Sequence, residues 1–301
     1  MKVLITGATG LVGQALSKLL WQNGHTVHFL TTQKNKLVDE PLYKGYYWNP
    51  QQGKIDVSCI DGVDAIVHLA GATVAKRWTT EYKQEIIESR INTTNLLYKL
   101  LKNNQHTVRN VVSASAIGIY PHSFTTYYDE NATQTDDTFL GQVVVRWENA
   151  VNSLELLGLK VCKIRIGLVL AKESGALVEM IKPIKLGLGA PLGSGKQMQS
   201  WIHIHDLARI FFMATQQEWI GVYNAVAPTP VDNTQLTKSI AKALHKPLLL
   251  PNVPKFVLRL ALGEMHELLF SSQYVSSKKV QDKGFAFDYQ TIDDALSHLL
   301  K

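Results

Sequence analysis

The amino-terminal stretch KVLITGATGLVGQAL constrains this chain more than any other segment. The apolar-leaning residues Val3 to Thr6 run into a glycine turn. Leu11 to Gln22 then follow helical spacing, with Leu11, Ala15, Leu16, Leu19 and Leu20 on one face. Gly7, Gly10 and Gly13 give the spacing GxxGxxG between strand and helix. In such a turn the first glycine takes the tight bend and the second lets a pyrophosphate approach the backbone. The third lets the helix pack closely on the strand, and the helix amino terminus favours the negative charge. Three glycines alone are weak evidence, but here a second strand, HTVHFL, follows at the right distance. The expectation is a dinucleotide-binding turn contacted by Gly7, Thr9, Gly10, Leu11, Val12 and Gly13.

The segments DAIVHLAG, NVVSAS and KVCKIRIGLVL read as further buried strands, separated by helical stretches at Thr80 to Lys102 and Phe139 to Leu157. This alternation predicts an α/β protein with a Rossmann-type, doubly wound parallel sheet. After Leu170 the texture changes: IKLGLGAPLGSGKQ must be rich in loops, and SWIHIHDLARIFFMA reads as a strand and a helix capped by His205 or Asp206. GVYNAVA is expected to return to the first sheet, and Thr291 to cap a final helix. Residues 1–166 with about 203–228 would form the nucleotide domain. Residues from about 167–202 with 229–301 would form a second, smaller α/β substrate lobe.

Composition removes several classes. Of 301 residues, 46% are hydrophobic and 19% charged, an ordinary globular balance. The formal charge of +6 is dispersed, with basic groupings no longer than Lys76-Arg77 and Lys278-Lys279, so no nucleic-acid partner is expected. Cys59 and Cys162 form no CxxC, which excludes a disulfide framework. No apolar run has membrane-spanning length and the amino-terminal one is too short for a signal peptide, so a cytoplasmic protein without membrane contact is expected.

The end of the second strand bears on the choice of cofactor. An NAD-selective site usually places an acid there to bind the ribose hydroxyls. Here the chain reads FLTTQKNKL and the first acid is Asp39. Thr31 and Thr32 could hydrogen-bond a 2′-phosphate, and Lys34 or Lys36 could supply charge, which favours NADP(H) over NAD(H).

These residues resemble the extended short-chain dehydrogenase/reductase superfamily. ITGATGLVG is similar to its cofactor turn, GVDAIVHLAG to its fourth strand, and VVSASAIGIY to its serine-bearing fifth strand. AKRWTTEYKQEIIESRINTTNLL, RIGLVLAKESGAL, GLGAPLGSGKQMQSWIHIHDLA and GEMHELLFSSQYVSSKKVQDKGFAF resemble its atypical branch, the epimerase family (nucleoside-diphosphate-sugar epimerase-like). Together these segments span nearly the whole chain. The resemblance implies NADP(H) binding, a two-lobed fold and Ser115 as catalytic serine. It also implies a nicotinamide wall from Leu69, Ala70, Gly71 and Val169, largely through backbone.

The same resemblance exposes departures. Active members use a tyrosine to move the substrate proton and a lysine one helical turn later to lower its pKa. Aligning on Glu148 places these at Leu140 and Val144, and maps the supporting asparagine to Arg90. Arg90 could hold a cofactor phosphate or a substrate acid. The branch pattern makes Glu85 a cofactor contact; a surface Glu–Arg pairing is the alternative for both. In TVAKRWTTEY, Lys76 and Arg77 could meet an acidic substrate with Trp78 covering it, although Trp78 also suits a core. GAPLGSGKQ is not a Walker loop. Its Lys196 and Gln197, with Trp201, could grip a polar or anionic substrate, with a structural loop as the alternative. Tyr120, five residues past Ser115, is a candidate displaced proton donor, and Tyr127 and Tyr128 lie on a loop that could also reach in; packing is the usual role of such residues. His203, His205 and Asp206 lack a third ligand at a recognisable spacing, so no metal is expected.

The expected protein is an NADP(H)-dependent oxidoreductase or epimerase-like enzyme acting on a small carbonyl, hydroxyl or sugar-nucleotide substrate. The alternative is a non-catalytic NADP(H)-dependent sensor or binding module. A homodimer through the two long helices is open.

Overall fold

The computed structural model describes all 301 residues. Strand β1 (Lys2–Thr6), helix α1 (Leu11–Gln22) and β2 (Thr26–Thr31) make the first β-α-β unit. Short edge elements follow: β3 (Asp39–Glu40), β4 (Tyr43–Asn49) and β5 (Lys54–Ile55). The chain then forms β6 (Ala65–His68), α2 (Thr80–Asn103), β7 (Asn110–Ala116), β8 (Tyr127–Tyr128), α3 (Phe139–Asn152), β9 (Lys160–Ile166) and β10 (Leu168–Leu170). Next come α4 (Ala176–Lys185), β11 (Met198–Gln199), β12 (Trp201–His203), α5 (Ile204–Gln216) and β13 (Gly221–Ala225). The last elements are β14 (Val231–Asp232), α6 (Asn233–Ala243), α7 (Lys255–Leu262), α8 (Glu267–Phe270), β15 (Tyr274–Val275), α9 (Lys278–Asp282) and α10 (Ile292–Leu300).

The main sheet runs β13-β9-β7-β6-β1-β2-β4 with every pair parallel, and β3 adds an antiparallel edge. Its central strands are apolar on both faces because helices cover both sides: α1 packs with α5, and α2 with α3. The strand order reverses at β1 and β6, where Thr6 lies opposite His68. The crevice outside those carboxyl ends is where open α/β sheets bind ligands. GVYNAVA does rejoin the sheet, as β13 beside β9.

A core of 42 buried residues fills the sheet domain, and a second core of 14, around Leu170, Trp201, Leu236 and Leu296, fills the second lobe. Val280, Phe285 and Phe287 reach back into the larger core, although they lie in the carboxyl-terminal stretch expected to build the second lobe. No helix is long and apolar enough to cross a membrane.

Two local expectations are corrected. The α-helix starting at Phe139 stops at Asn152; Ser153–Leu157 tighten into a 3-10 turn that ends at Gly158, whose φ of 75° suits glycine. The cap of α5 is His203, whose Nδ1 accepts the His205 N–H at 3.0 Å. Asp206 is instead buried in the first turn and accepts the N–H groups of Asp288 and Tyr289 at 3.1 and 3.0 Å. It ties the carboxyl-terminal segment to the sheet domain. Thr291 caps α10 by accepting from the Asp294 N–H at 3.3 Å.

Candidate functional site

The glycine turn has no room for side chains. Gly7 sits at φ 72°, and a Cβ there would lie 3.0 Å from the Leu69 carbonyl. A Cβ on Gly13 would lie 2.3 Å from the Gly7 oxygen and 2.6 Å from Ala8 Cα, both backbone atoms that cannot swing aside. Gly10 precedes α1 with no capping side chain, so the first N–H groups of that helix, through Leu11 and Val12, keep no side-chain acceptor. Thr9 and Gly10 are exposed at its mouth. An anion fits such a helix end.

Behind the turn lies a chain of buried hydrogen bonds whose direction can be deduced. Thr6 Oγ1 accepts from the N–H groups of Leu69 and Ala70, both at 3.0 Å. Its own proton therefore goes to His68 Nδ1, 2.7 Å away. His68 Nε2 faces Thr94 Oγ1 at 3.0 Å, and the Thr94 hydroxyl donates to the Arg90 carbonyl at 2.8 Å. The imidazole is neutral: burial, helped by the nearby Arg90 charge, pushes its pKa down to about 4. A neutral His68 protonated at Nε2 satisfies every group, and the chain fixes both the wall Leu69–Gly71 and the helix turn that carries Arg90.

Arg90 has no carboxylate partner. Its Nη1 donates to the carbonyls of Ile86 and Ala72 at 2.8 and 3.2 Å, while its Nε is buried with no acceptor. The guanidinium lies 5.0 Å from the centre of the Trp147 ring, whose Nε1 is likewise buried and unpartnered. Gly71 packs against it; a Cβ there would lie 3.2 Å from Arg90 Cγ and Cζ. Burial lowers the Arg90 pKa to about 10, which still leaves it charged at neutral pH. A half-buried cation with an orphaned donor at a crevice suits an anionic ligand. Glu85 is exposed and does not pair with it, so a surface Glu–Arg pair is not what places Arg90.

At the end of β2, Thr31 is buried and its Oγ1 accepts the Gln33 N–H at 3.1 Å. Thr32, Lys34 and Lys36 are exposed, and the Lys34 ammonium stands 5.2 Å from the Tyr47 ring centre. Asp39 is turned into the edge hairpin, where it pairs with Lys44 at 3.1 Å. No acid therefore stands where ribose hydroxyls would be bound.

Ser115 belongs to a second buried network. Its hydroxyl donates to Glu148 Oε1 at 2.5 Å, and Arg165 grips the same carboxylate with Nε and Nη2 at 2.8 and 2.9 Å. Arg165 Nη1 reaches the Tyr120 hydroxyl at 2.9 Å, which donates to Asn224 Oδ1 at 2.8 Å. Burial alone would raise the Glu148 pKa; the Arg165 guanidinium and the Ser115 hydroxyl outweigh it and hold the carboxyl below its usual range. The single Ser115 proton is thus committed to Glu148; the residue is 2% exposed, and toward any further partner its oxygen can only accept. Tyr120 is fully buried with its hydroxyl partnered on both sides, which argues against its reading as a displaced proton donor. Tyr128 stacks on it at 5.3 Å, and Tyr127 packs on Tyr274 at 4.5 Å. Leu140 joins a cluster with Trp78, Ile86 and Val143, and Val144 one with Ile117, Tyr120 and Val226. Both apolar replacements are packed.

The substrate candidates divide. Trp78 is buried, donates to the Val74 carbonyl at 2.9 Å and meets Phe139 edge-on at 5.1 Å, so it is a packing residue and not a cover. Gln197 is buried and donates to the Leu192 carbonyl at 3.0 Å, bracing its own loop. Trp201 lies in the second core with its indole N–H on the Thr229 carbonyl at 3.0 Å. Burial and internal partners correct the reading of both as substrate contacts. Lys76, Arg77 and Lys196 are exposed, and Arg77 lines an open groove with Phe256, Arg259 and Leu260. Val169 is half-buried against the large core, in the strand paired to β12. His203 spends both ring nitrogens internally, on the cap and on His298 Nδ1 at 3.1 Å. Burial, with His298 and His205 adding, drives its pKa down to about 3. No group of three His, Cys, Asp or Glu side chains gathers to hold a metal ion.

The sequence reading missed His68 and Thr94 beneath the wall, and the Glu148–Arg165 pair behind Ser115. Each had a signal: one polar residue inside an otherwise apolar strand or helix face, as in DAIVHLAG and KIRIG, needs a buried partner.

The model of the NAD dependent epimerase/dehydratase family matches residues 3–225, and that of a domain of unknown function (DUF1731) matches residues 253–299. Epimerase family protein YfhF of Bacillus subtilis (strain 168) is 36% identical over 301 residues, covering 100% of this chain and 98% of the relative. Epimerase family protein SA0724 of Staphylococcus aureus (strain N315) is 36% identical over 299 residues, 99% of this chain and 98% of the relative. Among solved structures, human epimerase family protein SDR39U1 (isoform 2) with NADPH superposes at a TM-score of 0.85 with 29% identity, covering 100% and 99% of the two chains. A nucleoside-diphosphate sugar epimerase from Corynebacterium glutamicum gives 0.80 with 30% identity, covering 100% of this chain and 58% of that one.

Proposed function

We propose that this chain, which belongs to the NAD dependent epimerase/dehydratase family and to its atypical short-chain dehydrogenase/reductase branch, holds NADP(H) across the crevice at β1 and β6 and acts on a small hydroxyl, carbonyl or sugar-nucleotide substrate. The observation that carries the reading is Arg90: a charged guanidinium with no counter-ion and an orphaned Nε, beside the wall at Gly71. The pyrophosphate would lie over the amino terminus of α1, against Gly7, Gly10 and Gly13. Thr31, Thr32 and Lys34 would meet the 2′-phosphate, a preference supported by the absence of an acid there and by the NADPH solved with the human relative. When bound, the nicotinamide supplies or accepts a hydride.

The protein's part is to position and to exclude water. Leu69, Ala70, Gly71 and Val169 would flank the ring. Ser115, its proton tied to Glu148, accepts a hydrogen bond from a substrate hydroxyl and so favours an alcohol over a carbonyl at that oxygen. Lys76, Arg77 and Lys196 would meet a polar or anionic substrate. General acid catalysis contributes roughly 10²–10⁴-fold, so a chain with Leu140 and Val144 in place of the tyrosine and lysine would turn over slowly. The test is to mix pure protein with NADPH and a panel of aldehydes, quinones and sugar nucleotides, and with NADP+ and a panel of alcohols and sugar nucleotides, and to follow the nicotinamide absorbance. Turnover that Ser115→Ala abolishes supports the enzyme.

A second reading has its own support: Leu140 and Val144 are packed apolar residues, and Tyr120 is locked away. On that reading the chain is a sensor that binds NADP(H) without turnover. Tight NADPH binding with no turnover across the panel would select it.

A further inference from the structure

Two segments of the second lobe stand apart from the rest of the surface. Residues 180–196 and 243–263 carry five lysines and one arginine, against the bordering acids Glu179, Glu264 and Glu267. They also carry seven of the fifteen large apolar side chains that the protein exposes, among them Leu186 at 75%, Leu249 at 78%, Phe256 at 65% and Leu260 at 81%. Concentration on that scale, within about an eighth of the chain, is not the scatter of single apolar residues that a surface tolerates. Backbone bonds hold the segments side by side: Gly193 N–H to the Val253 carbonyl and Val253 N–H to the Pro191 carbonyl, both at 2.8 Å. On this face α7 buries none of its eight residues. Phe256 and Leu260, one helical turn apart, make its outward stripe, flanked by Lys255 and Arg259.

We propose that this face docks the protein on an anionic lipid bilayer, with α7 lying in the headgroup plane and Phe256 and Leu260 inserted. The chemistry fits a lipid surface better than a protein. Interfaces between proteins are depleted in lysine and enriched in arginine and aromatic residues, whereas this face is mainly Leu and Lys. Even with Glu179, Glu264 and Glu267 at its border the face keeps more basic than acidic groups, so a second copy in a two-fold contact would bring like net charge against itself. Leucine and phenylalanine bordered by lysine and arginine are the composition of an interfacial helix, and lysines near an anionic leaflet add attraction. No helix is long and apolar enough to cross a membrane, and a peripheral contact needs no such span. Because Arg77 shares a groove with Phe256, Arg259, Leu260, Glu264 and Glu267, the docked face borders the loop that follows the nicotinamide wall.

The test uses the full chain and flotation with phosphatidylcholine vesicles, with and without phosphatidylglycerol. The expected result is binding to the anionic vesicles at low salt, at least about tenfold weaker binding to the neutral ones, and release as salt rises. Replacing Phe256→Ser with Leu260→Ser should cut binding about tenfold or more, since each exposed apolar residue contributes only through insertion. NADPH binding and the unfolding midpoint should not move. Lys185→Glu with Lys255→Glu should abolish the anionic preference by charge alone. Absence of flotation with anionic vesicles, flotation that neither pair of substitutions reduces, or a dimer in sedimentation that the serine pair dissolves would each overturn the proposal.

Discussion

Arg165→Met isolates what holds Ser115 in place. In the protein, Arg165 forks onto Glu148 with bonds of 2.8 and 2.9 Å, and both side chains are about 10% exposed. Removing the guanidinium leaves a carboxylate with only the Ser115 hydroxyl as partner. Breaking a buried pair on one side costs about 3–5 kcal/mol, which lowers the melting midpoint by roughly 5–8 °C in a chain of this size. The pH dependence gives the argument its sign. Glu148 is now held below its usual pKa, so its contribution is complete above the unfolded-state pKa of about 4.3 and is lost as pH falls through the folded value. Without Arg165, burial pushes Glu148 above the usual value, so the variant is penalised most at neutral pH and is relieved as acid protonates the group. Urea unfolding at about pH 7.5 and about pH 5 should therefore show a large gap between variant and parent that narrows in acid. Combining Arg165→Met with Glu148→Gln removes the stranded charge and should recover most of the loss. A gap that ignores pH, a loss below about 1 kcal/mol, or a double variant as weak as the single would refute the account of this network.

Two further outcomes test the cofactor end. Gly13→Ala drives a Cβ to within 2.3 Å of the Gly7 oxygen, so it should cost about 1–3 kcal/mol or more and weaken NADPH binding; Gly118→Ala, where nothing lies within 4 Å, should stay within about 0.5 kcal/mol of the parent by the same urea assay. Nitrogen-15 NMR should show His68 neutral, protonated at Nε2 and flat across about pH 5–8, because its pKa is pushed down to about 4. With a folded value below the unfolded one of about 6.5, His68 makes stability fall as pH drops through that interval, and His68→Gln should flatten the slope; a His68 titration centred above about pH 6 would contradict the deduced hydrogen-bond chain.

The cofactor end was legible because its determinants are local. Gly7, Gly10 and Gly13 lie within seven residues of one another, between a strand and a helix that declare themselves by period. The parallel sheet followed from strands apolar on both faces. Arg90 was placed by resemblance, but its lack of a counter-ion depends on what α3 and the wall put beside it, which no spacing records. The Ser115 network joins residues 33, 17, 45 and 104 positions apart, so only the folded sheet assembles it. Trp78, Gln197 and Trp201 misled for a related reason. Polar atoms on large side chains look available in a sequence, but here Val74, Leu192 and Thr229 supply carbonyls that satisfy them internally. The cap of α5 was misplaced because the His203 ring nitrogen took the acceptor role that His205 or Asp206, two or three residues on, was expected to fill.

The central claim, an NADP(H) site organised around an unpaired Arg90, is tested most directly by equilibrium titration of NADPH and NADH into the parent protein and Arg90→Gln. A charge-assisted hydrogen bond is worth about 1.5–3 kcal/mol, so Arg90→Gln should weaken NADPH roughly 10- to 150-fold, and the parent should bind NADPH more tightly than NADH. Equal affinity of the parent for the two cofactors would contradict the 2′-phosphate assignment, and NADPH affinity untouched by Arg90→Gln would contradict the site.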